Sequence, residues 1–133
     1  MVGISQALQF LGFVSLVDYV VEDIGAGPYI ARWSRPEPQP TPAQIAATVL
    51  PSTKAARIEA DRQECRRRLT EHYGDALEQV SRASGVYGVV AKANHAAGVD
   101  ATIDASNVAR DQINAAATIA AVEAVIVNWP VLT

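Results

Sequence analysis

A chain of 133 residues, half of them apolar and with a net charge of −3, is sized for one domain, too apolar to be disordered along most of its length, and too mildly charged to point globally to nucleic acid or anionic lipid. Its apolar half is dominated by alanine, with only two Phe and two Trp, so little area can be buried at ~25 cal/mol per Å², and partner surfaces or self-association are expected to supply part of the stability. The single cysteine, Cys65, excludes an internal disulfide framework, no stretch approaches the ~20 apolar residues of a membrane span, and Met1–Ser5 carries neither a basic signal-peptide region nor a glycine placed for myristoylation.

In chain order, Ile4, Leu8 and Leu11 recur at helical spacing and predict a short helix stopped by Gly12, with Phe13 to Val17 as an alternative buried strand. Asp18–Asp23 has strand propensity, Gly25-Ala26-Gly27-Pro28 supplies a turn, and Tyr29–Trp33 alternates as a second strand, which together predict a β-hairpin. Pro36, Pro38, Pro40 and Pro42 hold the next segment extended, near polyproline II. A ligand for a proline-recognising module is one reading of it; a stiff spacer that ends a strand and starts a helix is the better one. Thr41 as N-cap with Pro42 at the first helical position fits that role.

Pro42–Leu50 then reads as a short helix interrupted by Pro51, with Ser52 or Thr53 capping a second. From Ile58 through Cys65, Leu69, Tyr73, Ala76, Val80, Ala83, Tyr87 and Val90 to Asn94, apolar or semi-apolar residues recur at near-heptad spacing, and a continuous helix from about Ser52 to Asn94 is expected, with Gly85 to Gly88 as the place where it would break. Gly98–Thr102 reads as a loop, Asp104 or Ser106 as the cap of a helix to about Ala117, and Thr118 as the cap of a last helix, Ile119–Val127. Pro130 stops that helix, and Trp129 is expected to pack back onto the helices before it. The fold class is therefore α+β, mostly α: a helix and hairpin docking module with a Pro-rich elbow over residues 1–41, and an alanine-rich helical bundle or coiled-coil-like body over residues 42–133.

No catalytic constellation accompanies this architecture, and no catalytic, cofactor or metal residue is assigned. His72 and His95 lack ligand neighbours at helical spacing, and one cysteine with one histidine falls short of a zinc set. Cys65 sits mid-helix on the seam, where a buried structural thiol is expected. Asp18, Glu22 and Asp23 read as hairpin-edge charges. The basic run Arg66–Arg68 is interleaved with acids four residues away, Arg57 with Asp61, Glu64 with Arg68 and Arg67 with Glu71, so a solvated helix face is expected rather than an anion-binding patch.

The stretch around Tyr29, Ile30, Trp33, Pro36, Pro38, Gln39, Pro40 and Thr41 resembles small bacteriophage tail-locus proteins, the XkdW-type proteins and the short tail-fibre assembly proteins. The ending, from Ala109 through Thr118, Val122 and Glu123 to Trp129-Pro130, resembles a helical C-terminal domain of phage tail-associated proteins. The resemblance implies a non-enzymatic tail protein, structural or fibre-associated, residing in the virion tail after assembly in the host cytoplasm. The alternatives are a transient tail-fibre assembly chaperone and, behind it, a DNA-binding or regulatory module. It implies other tail or tail-fibre proteins as partners, no cofactor, no membrane, and a homo-oligomer, a trimer by analogy with threefold fibres. Expected protein-interaction residues are Tyr29, Trp33, Pro36, Pro38, Pro40, Leu69, Val80, Tyr87 and Trp129.

Overall fold

The computed structural model describes residues 3–133, so the expectations placed on Met1 and Val2 lie outside it. The fold is α+β and mostly α: helix α1 (Ile4–Phe10), strands β1 (Tyr19–Asp23) and β2 (Pro28–Trp33), then helices α2 (Pro42–Ala47), α3 (Val49–Tyr73), α4 (Ala76–Ser84), α5 (Val89–Ala115) and α6 (Ile119–Glu123). The chain forms two compact units, one ending at Ala55 and the other Ala56–Thr133. The first therefore reaches past the Pro-rich elbow and takes in α2. Among the described residues no helix is long and apolar enough to cross a membrane.

In the N-terminal unit β1 and β2 form the expected antiparallel hairpin, Tyr19 opposite Trp33 and Glu22 opposite Tyr29, with a bulge between Val20 and Val21. Asp23 shapes the turn by accepting from the amides of Gly25 at 2.8 Å and Gly27 at 3.2 Å. An isolated two-stranded hairpin is marginal in water, and α1 covers this one. Tyr19 is fully buried with Ala7 and Leu8, and its hydroxyl donates to the Ser5 carbonyl at 3.1 Å. Phe13 to Val17 is not a strand; its amide groups turn back instead, Phe13 donating to the Leu8 carbonyl and Val14 to the Asp18 carboxylate.

The cap at α2 is the expected one. The Thr41 hydroxyl accepts from the Gln44 amide, and the Gln44 side chain accepts from the Thr41 amide at 2.8 Å. Pro51 does not interrupt the chain as expected. It lies in the first turn of α3, where a backbone N–H has no intrahelical acceptor, so its absence costs nothing. Ser52 and Thr53 are not caps either: both hydroxyls donate back to the Val49 carbonyl.

The continuous helix from Ser52 to Asn94 does not exist, and with it goes the single seam. Gly74, Gly85 and Gly88 all adopt positive φ, between 85° and 96°, and divide the stretch into α3, α4 and α5. Asp75 restarts the chain as N-cap of α4, accepting from the Glu78 amide at 2.9 Å, and Gly85 ends it in the left-handed region. The α3 part of the seam does turn inward: Cys65 and Tyr73 are buried, Ile58 and Leu69 half-buried. Its continuation does not, since Ala76, Val80, Ala83, Tyr87 and Val90 are exposed.

Two further corrections concern α5 and α6. Gly98–Thr102 is not a loop but the middle of α5, so neither Asp104 nor Ser106 caps a helix. Tyr73 explains the glycine: a methyl at Gly98 would overlap the Tyr73 hydroxyl and ring, and the hydroxyl donates past it to the Asn94 carbonyl at 3.1 Å. His95, Thr102, Ala109 and Ile113 form the buried face of α5, joined by Val122 of α6. Thr118 caps α6 as expected, accepting from Ala121, but the helix ends at Glu123 rather than Val127. The β-branched run Val125-Ile126-Val127 leads into Trp129-Pro130, and both features disfavour helix. Arg57 secures this ending by donating to the Val125 carbonyl at 2.7 Å while its Nε holds Asp61 at 3.1 Å.

Gly98 gives a test of sign. In an open helix Gly→Ala stabilises by about 1 kcal/mol, whereas here the overlap with Tyr73 reverses it. Gly98→Ala is expected to destabilise the protein by about 1–3 kcal/mol in urea unfolding, and Tyr73→Phe in that background to recover part of the loss.

Candidate protein-docking site

The proline segment does not stand away from the hairpin; it is folded against it by Trp33. The indole N–H donates to the Glu37 carbonyl at 2.7 Å, and the ring meets Phe13 edge-on, centroids 4.8 Å apart and planes at 73°. Between these two points Arg35 grips the Glu37 carboxylate through both ends of its guanidinium, at 2.9 and 3.0 Å, and reaches towards Asp18 at 3.8 Å. Hydrogen bonding and the charge of Arg35 hold the Glu37 carboxyl below the usual carboxylate range.

The folded elbow leaves two apolar grooves, with Pro40 lining both. One, of about 450 Å³, is formed by Ile4 of α1, Tyr29 and Ile30 of β2, Pro40 and Pro42 of the elbow and Ile45 of α2. The other, of about 420 Å³, lies between Leu11, Phe13, Pro38, Pro40, Gln44 and Ala47. Tyr29 is pinned at the groove edge by its hydroxyl, which donates to Glu22 across the hairpin at 3.2 Å. Desolvation first, then that carboxylate, raise its pKa, so it stays a neutral donor.

Of the expected interaction residues, the structure thus gathers Tyr29, Pro38 and Pro40 on these grooves. Trp33 is half-buried and acts as the clasp beneath them; Pro36 is exposed and lines neither. In the helical unit Leu69, Val80, Tyr87 and Trp129 are not brought onto one surface. Leu69 lines a groove beside Cys65, and Trp129 packs on α3 with the Arg68 guanidinium 5.1 Å from its ring. Val80 projects from α4, and Tyr87, between α4 and α5, is held by Glu78 and by Arg82 at 5.4 Å. Phe13, Ile4 and Ile45 were the missed members of the N-terminal site. The signal for Ile4 and Ile45 was their place on the apolar faces of two short helices, each too small to bury them alone.

The chemical candidates scatter. Asp18 accepts from the Val14 amide, Glu22 from Tyr29, and Asp23 from the turn amides. Cys65 and His72 line different grooves, and burial pushes the Cys65 thiol up. His95 is buried edge-on to Tyr73 at 4.9 Å. Among the described residues no three His, Cys, Asp or Glu side chains cluster as metal ligands would.

The clasp is testable in two ways. Trp33→Phe keeps a ring but loses the indole bond and is expected to cost about 1 kcal/mol; Trp33→Ala loses the Phe13 contact as well and costs more, both read by chemical unfolding. The Glu37 carboxyl is depressed, so its contribution is complete above the ordinary carboxylate pKa and is lost as pH falls through the lower folded value. Trp33 fluorescence is expected to hold through mild acid and change only below that range, and Glu37→Gln to abolish the transition.

No curated protein and no solved structure gives a significant match to the chain. A family model does: that of the XkdW protein matches residues 9–57. The match starts on α1 and takes in the hairpin, the elbow, α2 and the start of α3. Most of the residues that build both grooves therefore lie in the stretch that is similar to the XkdW protein, Ile4 standing before it.

Proposed function

We propose that this chain is a non-enzymatic phage tail protein, a structural or tail-fibre-associated component that attaches to another tail protein through the grooves of its N-terminal unit. The observation that carries this reading is the coincidence of two boundaries: the family match, residues 9–57, falls on the segment whose elbow is folded to expose Tyr29, Pro38 and Pro40 along apolar grooves. Paired apolar slots in a stiff backbone suit docking of a partner's side chains. The likeness of the Trp33 to Thr41 stretch to tail-locus proteins supports the tail assignment. Self-association of the helical unit belongs to the same reading. Leu77 and Val80 on α4, Val86 in the turn after it and Val90 at the start of α5 stand largely exposed, and threefold fibres make a trimer the expected state.

Mass spectrometry of purified virions tests the placement. The chain is expected among the tail proteins; its presence in infected cells but absence from virions would replace the structural reading with that of an assembly chaperone. Ile45→Glu places a charge in the larger groove at a half-buried position and is expected to reduce tail incorporation at least about tenfold while circular dichroism shows the fold intact. Undiminished incorporation would remove the groove from the proposal. Sedimentation of the isolated chain is expected to show a species larger than the monomer.

A further inference from the structure

The three arginines in a row, 66 to 68, do not share a fate. Arg67 binds Glu64 at 2.6 Å and also Glu71, and Arg68 binds Glu64 at 2.7 Å. These two are neutralised on one side of α3, and together they hold the Glu64 carboxyl down to about 2. Arg66 points elsewhere, as a step of 100° per residue requires, and among the described residues it has no carboxylate partner. It lines a groove of about 320 Å³ in the helical unit together with Arg62, one turn earlier on α3, and Arg110 of α5. Arg62 reaches Glu59 only at 3.8 Å, and Arg110 touches only its neighbour Asp111, itself 73% exposed. The rest of the lining is mostly apolar, Ile58, Cys65 and Leu69 from α3 and Ile103 from α5, the last 43% exposed, with Ser106 and Asn107 of α5 beside them.

We propose that this groove docks an acidic amphipathic helix of a partner protein. The charge spacing selects that occupant. Arg62 and Arg66 lie one helical turn apart on one wall, and Arg110 stands on the other. A facing helix with an aliphatic stripe flanked by carboxylates one turn apart meets all three at once, whereas a single fatty carboxylate meets one. The α3 wall from Ile58 to Leu69 spans 11 residue steps, about 16 Å, or three turns. Within this chain Asp61, Glu64, Glu71 and Glu78 already pair with arginines, and a second copy offering Asp100 and Asp104, exposed one turn apart on α5, is the competing occupant that the test distinguishes. This surface is separate from the N-terminal grooves and does not rest on the function assigned to them.

The test uses the full chain and a fluorescein-labelled synthetic helix of about 15 residues, a leucine stripe flanked by glutamates, read by fluorescence anisotropy. Saturable binding is expected. Arg66→Glu is expected to weaken it about tenfold and Ile103→Gln to weaken it also, while Lys92→Glu, an equal charge change on α5 away from the groove, leaves it unchanged. Bound peptide is expected to slow alkylation of Cys65. Both substituted groove residues are partly exposed, and circular dichroism confirms their folding. Equal binding by Arg66→Glu, or equal binding of a peptide with lysines for glutamates, overturns the proposal. So does displacement of the peptide by dodecanoate at lower concentration, which assigns the groove to a small amphiphile. An oligomer of the unmodified chain that Arg66→Glu dissolves assigns it to a second copy and overturns the proposal as well.

Discussion

The helical unit depends on the close approach of Tyr73 to Gly98. A ring lying directly on helix backbone needs the one residue without a Cβ, and in return it brings the last turn of α3 against the middle of α5. Around that contact the other pieces fall into place. His95 packs edge-on to the ring, Arg82 of α4 sits 5.8 Å from its centroid, and the one hydroxyl proton lies between the Asn94 carbonyl at 3.1 Å and that of Thr133 at 3.3 Å. One side chain therefore organises α3, α4, α5 and the final segment. A chain rich in alanine has few aromatic side chains, and this one is placed where helices meet.

The N-terminal unit solves the same shortage in the same way. Tyr19 is its largest fully buried side chain, and its hydroxyl reaches α1 rather than being wasted in the core. Trp33 likewise uses both its faces and its N–H: the ring meets Phe13, and the nitrogen holds the Glu37 carbonyl. In each case an aromatic with a polar handle supplies area and direction together, which suits a sequence with 6% aromatic residues.

What could be read beforehand was what is encoded locally. The hairpin turn, the Thr41 cap and the Thr118 cap each depend on neighbours within four residues, and each formed as expected. The misreadings came from distant partners. Gly98 looked like a loop residue because the ring that tolerates it in a helix lies 25 positions earlier. The seam looked continuous because periodicity counts apolar positions and ignores that Gly74, Gly85 and Gly88 reset the helix axis. The arginine run was half legible: its pairing with Glu64 and Glu71 followed from spacing. Arg66's separate direction was computable from the helix repeat, whereas Arg110 on the opposite wall was not.

Pro40 lines both N-terminal grooves, and its ring fixes φ near −65°. It is therefore a septum that cannot bend out of the way. On the docking reading proposed above, a visiting surface would have to present two apolar projections at a set separation, one for each groove, and a partner with the right residues at the wrong spacing would fill only one. The elbow would then act as a gauge of distance as well as an apolar patch, with the rigidity of a single pyrrolidine setting its graduation.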